Sequence, residues 1–373
     1  MRAAVMHEFH TPLQVQEVAV EEPRAGEALV RIAASGICGS DVHALHGRSN
    51  VTRSFPIILG HEGAGVVEAT GPGVQDLRRG DPVVVAMSGP CGHCGYCGSG
   101  RLQYCDGQGP GGIYGEMADG STRLSQGGKA VYPFVGIGSL GEYAVVRRER
   151  LVKVEPGVPF EQLCITACGV VTGLGAVFNV ARVTPGASVL VVGCGGVGLN
   201  VIQAARIAGA GRIIAVDRNP RKLDLAADFG ASHCLTVGDD PQELEAAVRQ
   251  IAPKGVDFAF DVVGSAPLIR QLMGLTDMGG LTVAVGVLPW ASDVAVPAGL
   301  MLMGERRLTG VRGGSAMPMR DIPRILDLYR TRRLKLDELV GAAYELDDIA
   351  AAFAEAEKAD HARTVVRVTP SLL

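Results

Sequence analysis

The sequence predicts an α/β protein of two domains, a β-rich lobe and a parallel sheet with helices on both faces. Three observations predict it. At 373 residues the chain is too long for one ordinary core. Its first third consists of short β-branched runs punctuated by turn signals. Its middle alternates short apolar runs with helix-length segments, the pattern of a parallel sheet covered on both faces.

In the first third, residues 29–32, 65–69 and 82–86 read as strands. Gly71-Pro72-Gly73 and Arg79-Gly80-Asp81-Pro82 break them, which suggests a largely antiparallel lobe. Next comes a C-x2-C-x2-C-x7-C run, Cys91, Cys94, Cys97 and Cys105. Four thiolates on one short loop can wrap a tetrahedral Zn2+ without help from the rest of the fold. Such a closed site has no vacancy for substrate and would pin the lobe. The alternatives are four idle cysteines or two disulfides, which cysteines this close in sequence form only with strain. Residues 107–128 read as a long glycine-rich loop without periodicity.

Strands are expected at 189–192, 212–216, 234–237, 256–260 and 281–285, with helices at 199–208, 220–229 and 241–251. After Arg312 follow helices at 321–332 and 346–358 and a strand-like tail at 363–368. Gly193-Cys194-Gly195-Gly196-Val197-Gly198 lies between an expected strand and helix, where glycines let a pyrophosphate approach the helix N-terminus. Asp217 closes the next strand and can accept hydrogen bonds from ribose hydroxyls while repelling a 2′-phosphate. It could equally cap the helix starting at Pro220. Neighbouring Arg218 could tolerate a phosphate, so NAD is favoured over NADP.

The net charge of −4 gives no reason to expect nucleic acid or an anionic membrane as partner. With 51 glycines, about twice average usage, many tight turns are expected. The nine cysteines cluster at ligand-like spacings in a large chain, which fits a reducing cytoplasm. No charged-then-apolar leader is read at Met1-Arg2-Ala3, and no apolar run is read as long enough to span a membrane.

Three further segments stand out: Gly36-Ile37-Cys38-Gly39-Ser40-Asp41-Val42-His43, Gly60-His61-Glu62-Gly63 and Ala167-Cys168-Gly169. With the four-cysteine loop and the fingerprint, in this order, the chain resembles the zinc-dependent medium-chain alcohol dehydrogenases over essentially its full length. The loop after Cys105 resembles the longer, liver-type members. The resemblance implies a GroES-like catalytic domain over residues 1–170 and 312–373. A Rossmann domain over 171–311 would be inserted in it, with the active site in the cleft.

It further implies Cys38, His61 and Cys168 as ligands of a catalytic zinc, making two zinc ions per chain. Two thiolates and an imidazole suit an open, Lewis-acidic site. Taken singly, Cys168 reads as a small buried side chain and His61 as a turn residue. Asp41 resembles the carboxylate that orients the zinc-bound histidine, and Glu62 the acid behind the metal. Ser40 and His43 resemble a proton relay, with His46 expected at the surface.

For the cofactor, Lys222 resembles the lysine near the adenosine ribose, Arg363 the arginine near the pyrophosphate, and Thr172 a residue lining the nicotinamide. Val285, Gly286 and Val287 resemble the backbone contacts to the carboxamide, with sheet core as the other reading of the two valines. Met87, Phe134 and Val135 resemble the wall of an apolar substrate channel. Two departures stand out. Gly39 replaces a basic residue at the pyrophosphate, and Arg312, where relatives place an apolar residue, could meet a polar substrate end or face solvent at a hinge.

The expected reaction is NAD-linked interconversion of a primary or secondary alcohol with an aldehyde or ketone, by a homodimer, with a tetramer as the other state. The rivals are a polyol or formaldehyde-type dehydrogenase with tightly held NAD, and a non-catalytic cofactor-binding protein. The acidic and arginine pair of the glutathione-dependent formaldehyde dehydrogenases finds no match, which argues against that activity.

Overall fold

The computed structural model describes residues 1–373 except Gln108, Pro110, Ala118 and Asp239. The chain forms two compact units, one of residues 1–169, 317–331 and 336–373, the other of 170–316 and 332–335. The segment 312–316 lies in the second unit because Gly314 packs on Val171 and Thr172, leaving no room for a Cβ. Residues 332–335 join it because Gln203 and Arg206 bond their backbone: Lys335 N to Gln203 Oε1 at 2.9 Å, and Arg206 Nη2 to Arg333 O at 2.7 Å.

The first unit is built on two sheets, of six and seven strands, that are mainly antiparallel. Its spine is Glu27–Ile37, an 11-residue strand buried along nearly its whole length. Glu62–Thr70, Tyr143–Arg147 and Arg363–Arg367 all pair with it. Two registers position the site. Gly36 faces Glu62, so the chain leaves this strand at Cys38 beside the point where it enters the next at His61. Ile37 faces Thr364, which brings Arg363 to the same corner from the end of the chain.

The expected loop at 107–128 lies partly outside the described residues, and its end is not a loop. Leu124–Gln126 pairs with Lys129–Pro133 around Gly127 and Gly128, whose φ values of 56° and 78° are those of a tight hairpin turn.

The second unit holds six parallel strands. From edge to edge they are His233–Thr236, Arg212–Asp217, Ser188–Val192, Val256–Asp261, Thr276–Ala284 and Arg307–Gly310. In chain order this is 3-2-1-4-5-6, the doubly wound Rossmann arrangement, which binds ligands where the order reverses between strands one and four. Helices Pro220–Phe229, Pro241–Ile251 and Ala266–Leu275 each begin with proline in the first turn and are capped by Asn219, Asp240 and Ser265. Asn219, not Asp217, therefore caps the helix at Pro220.

One expectation needs correction. The helical segment Phe160–Ala181 is long and apolar enough to cross a membrane by length and composition, with hydropathy 1.9. Of its most apolar window 72% is buried inside the protein, as in a core helix. It contains two π-helical stretches, Thr166–Val170 and Ala176–Ala181, and Cys168 lies in the first. Such wide turns occur often at functional sites.

Candidate active site and metal centres

Cys91, Cys94, Cys97 and Cys105 bring their four sulfurs within 4.8 Å of one another. All are free thiols, which removes the disulfide alternative. Backbone amides point at them: Cys94 N donates to Cys91 Sγ at 3.3 Å, Cys97 N to Cys94 Sγ at 3.4 Å, and Cys91 N to Cys105 Sγ at 3.2 Å. Hydrogen bonds led by the His93 amide bring the Cys91 thiol down to about 6, whereas burial pushes Cys97 up to about 12. Four sulfurs this close cannot all carry charge unaided, and a dication at their centre removes that conflict. The donor set fits zinc.

Cys38, His61 and Cys168 form the second cluster, again with ligand atoms within 4.8 Å. His61 is buried, and its Nδ1 lies 3.1 Å from Asp41 Oδ1. Its Nε2 is buried with no hydrogen-bond partner among the described residues. A buried imidazole nitrogen left unpaired costs free energy unless something binds it. Against burial, Asp41 holds the His61 imidazole well above its usual value, and by accepting from Nδ1 it leaves Nε2 as the nitrogen that would give up its proton to a metal. A hydrogen bond from Cys168 holds the Cys38 thiol well below its ordinary range against burial, and Arg363 adds to this. Cys168 moves up correspondingly, so the apo pair shares one proton that metal binding would expel. The triad fits a zinc ion with an open position.

Asp41 supports this cluster from behind. Besides His61 it accepts from Cys38 N at 2.9 Å and from Gly60 N at 2.9 Å, so one buried carboxylate fixes two ligand-bearing segments. Glu62 is fully buried and accepts from Arg363 Nε at 3.0 Å, Arg363 Nη2 at 2.9 Å and Gly169 N at 3.0 Å. Burial pushes Glu62 up to about 7 against the pull of Arg363. Arg363 Nη2 also lies 3.8 Å from Cys38 Sγ. Arg363, expected near the pyrophosphate, is thus engaged at the triad through Nε and Nη2. A side chain at Gly169 would collide with its guanidinium.

Ser40 and His43 lie one turn apart on the short helix Gly39–Leu45, both half-buried, with Ser40 Oγ 3.9 Å from Cys38 Sγ. They are not hydrogen-bonded to each other. Burial, then Arg48, lowers the His43 imidazole below its usual value, leaving it neutral and able to accept a proton at pH 7. His46 is partly exposed and bonds Glu357 at 2.6 Å. Phe134 is buried with its ring edge-on to His61 at 5.6 Å, and half-buried Met87 and Val135 pack on the same core. A Cβ at exposed Gly39 would meet nothing within 4 Å, so packing does not require glycine there.

In the second unit the glycines of the fingerprint separate by task. Gly193 has φ 99°, and a side chain at Gly198 would strike Gly193 O. Nothing lies within 4 Å of a Cβ at Gly195, which N-caps Gly196–Ile207 without a side-chain bond. That open cradle beside free amides fits a phosphate. Asp217 accepts from Cys194 N at 2.8 Å and Asn219 N at 2.9 Å, so it also braces the fingerprint turn. Val197 and Lys222 are half-buried on the first turns of their helices, and Thr172 is half-buried on the apolar helix. Val285 and Gly286 donate to Asp261 O at 2.8 and 3.0 Å. Val287 lies past the strand end and is exposed, so it is not sheet core; Arg312 is exposed as well.

Residues 24–157 match the model of the alcohol dehydrogenase GroES-like domain, and 196–331 that of the zinc-binding dehydrogenases. An S-(hydroxymethyl)glutathione dehydrogenase from Synechocystis is 36% identical over 94% of this chain and 95% of its own. The chain belongs to the zinc-dependent medium-chain alcohol dehydrogenases.

Another relative, the S-(hydroxymethyl)glutathione dehydrogenase of Haemophilus influenzae, is 37% identical over 98% of this chain and 96% of its own. Among solved structures, the benzyl alcohol dehydrogenase of Acinetobacter calcoaceticus matches with TM-score 0.91 and 32% identity, covering 99% of both chains. An alcohol dehydrogenase zinc-binding domain protein from Burkholderia ambifaria matches with TM-score 0.92 and 34% identity over 99% of this chain and 98% of that one. This family member is therefore an oxidoreductase of the alcohol dehydrogenase type.

Sequence reasoning missed two residues. Asp261, buried at the end of strand four, accepts from Val263 N and Gly264 N at 3.0 Å, fixing the loop that touches Gly193. Its signal was the same as that of Asp217, a carboxylate closing an apolar strand. Arg150, buried beside Met87 and Val135, gave no signal within Arg147-Arg148-Glu149-Arg150, which reads as a solvated charge run.

Proposed function

We propose that the protein catalyses reversible NAD-linked oxidation of a primary or secondary alcohol to an aldehyde or ketone. The carrying observation is the buried, unpartnered Nε2 of His61 beside the sulfurs of Cys38 and Cys168. Zinc bound there would supply Lewis acidity that lowers the pKa of an alcohol. A second zinc would sit in the four-cysteine loop, giving two per chain. Asp41 holds the His61 tautomer, and Glu62 with Arg363 supports the corner behind the two cysteines. Ser40 takes the alcohol proton and His43 releases it to solvent, a role its lowered pKa suits. Asp217, with Gly195 and the helix amides, supports binding of NAD in preference to NADP. Lys222, Thr172, Val285, Val287 and Arg363 complete the cofactor contacts we propose.

Phe134 beside His61, with Met87 and Val135, favours an apolar alcohol, and the likeness to a benzyl alcohol dehydrogenase supports this. The second reading, oxidation of S-(hydroxymethyl)glutathione, is favoured by the relatives of that name. The test is a screen of benzyl alcohol, aliphatic alcohols and formaldehyde plus glutathione with NAD and NADP, following reduced cofactor. Turnover only with formaldehyde plus glutathione would replace the first reading by the second. Arg312→Ala should raise KM more for carboxylated than for neutral alcohols, and equal changes would remove Arg312 from the substrate.

We also propose a homodimer in the cytoplasm. Among the described residues the edge strand Arg307–Gly310 has no partner on one side, and Trp290, Leu302 and Met303 are exposed in the same unit. An open edge near apolar side chains suits pairing with a second copy. Nine free thiols support a reducing compartment.

A further inference from the structure

Arg150 is a buried charge of the first unit that neither the metal centres nor the proposed relay explains. It is buried at 5% exposure, and among the described residues no carboxylate pairs with it. Its donors go to backbone carbonyls instead. Nε donates to Ala86 O at 3.1 Å and Nη2 to Met87 O at 2.7 Å, both on one segment. On the other segment Nη2 donates to Val135 O at 2.9 Å and Nη1 to Gly136 O at 3.0 Å. Burying an unpaired guanidinium is expensive, and burial lowers it to about 10. A fold that keeps such a group uses its geometry, because a lysine cannot span four acceptors in one plane.

The second segment is itself constrained. Val135 sits at φ 46°, ψ 29°, a conformation that β-branched residues rarely adopt. Next to it is Phe134, whose ring lies against the ligand histidine His61. Displacing the Val135 carbonyl would let this turn relax and shift Phe134. Arg150 therefore couples the place of Met87 to that of Phe134 and Val135.

We propose that Arg150 is a positioning residue for substrate selectivity: its guanidinium staples the Met87 segment to the Phe134–Val135 turn and so sets the width of the apolar wall beside the triad. The inference rests on the alcohol dehydrogenase reading and adds to it the residue that fixes substrate size. Small alcohols that do not reach the wall should be indifferent to the staple, and ring-bearing ones should depend on it.

The test compares kcat and KM for ethanol and benzyl alcohol in the zinc-loaded wild type and in Arg150→Lys, with metal content and thermal unfolding measured alongside. Arg150→Lys keeps the charge and loses the bridge. The expected result is a KM for benzyl alcohol raised about tenfold, with kcat/KM for ethanol changed less than about threefold and two zinc ions retained. An unchanged ratio of the two kcat/KM values in folded, metal-loaded Arg150→Lys would overturn the proposal. If that variant is insoluble, the ratio is read on Arg150→Met, which keeps an apolar stem of similar length and removes every donor to the four carbonyls. Insolubility of both would make the staple a requirement of folding alone and would equally overturn it. A wild type silent towards both alcohols would sink the functional reading and this inference with it. A wild type that turns over while its variants keep the ratio sinks only this inference.

Discussion

Two carboxylates, Asp41 and Asp217, illustrate how a single side chain organises a site by accepting from the backbone. Asp41 receives Cys38 N, Gly60 N and His61 Nδ1, so Asp41→Asn would set an amide NH2 against donors. Zinc affinity, measured by competition with a chromophoric chelator, should fall on the order of 10–100-fold. Unchanged affinity would show that the triad holds its geometry without Asp41. Asp217 ties Cys194 to Asn219. Asp217→Gly should therefore raise the NADP:NAD ratio of kcat/KM and also weaken NAD binding, because the turn loses its brace. A shift in preference without loss of NAD affinity would separate the two roles. Cys168→Ala should abolish turnover and remove one of the two proposed zinc ions while leaving the thermal midpoint close to that of the parent.

At the scale of elements, the four-cysteine loop and the fingerprint were legible because their spacing alone carries the chemistry. The strand register was not legible. That Gly36 would face Glu62, and Ile37 would face Thr364, depends on pairings across the whole chain, so the meeting of Cys38 and His61 came from resemblance, and the place of Arg363 beside them from the structure alone. The helix Phe160–Ala181 was overlooked because its apolar residues run all round and give no 3.6-residue stripe. Arg150 was hidden for the converse reason: a charge run looks solvated until the fold buries one member. The loop makes its own prediction. Cys94→Ser keeps a side chain able to cap Gly95–Gly98 but removes one zinc thiolate. The unfolding midpoint should drop by more than about 5 °C, and chelator should lower the parent towards the same value. Equal midpoints for Cys94→Ser and Cys168→Ala would count against distinct structural and catalytic sites.

For the whole molecule, the sequence pattern separated a β-rich part from a doubly wound part, and the remaining surprises lay where the chain crosses between them. Residues 312–316 and 332–335 belong with the parallel sheet through a few contacts to their backbone that no local pattern announces. Assembly is a property of this scale too. Leu308→Lys on the edge strand Arg307–Gly310 should convert the proposed dimer to a monomer in sedimentation analysis. A parent that already sediments as a monomer would withdraw the edge as an interface.

The pairing of Ile37 with Thr364 has a consequence for biosynthesis. The partner of Glu62 is Arg363, 301 residues further along the chain, so this corner can close only after Arg363 has left the ribosome. A nascent chain could fill its four-cysteine loop early, yet the corner behind Cys38 and Cys168 would form only once Arg363 has emerged.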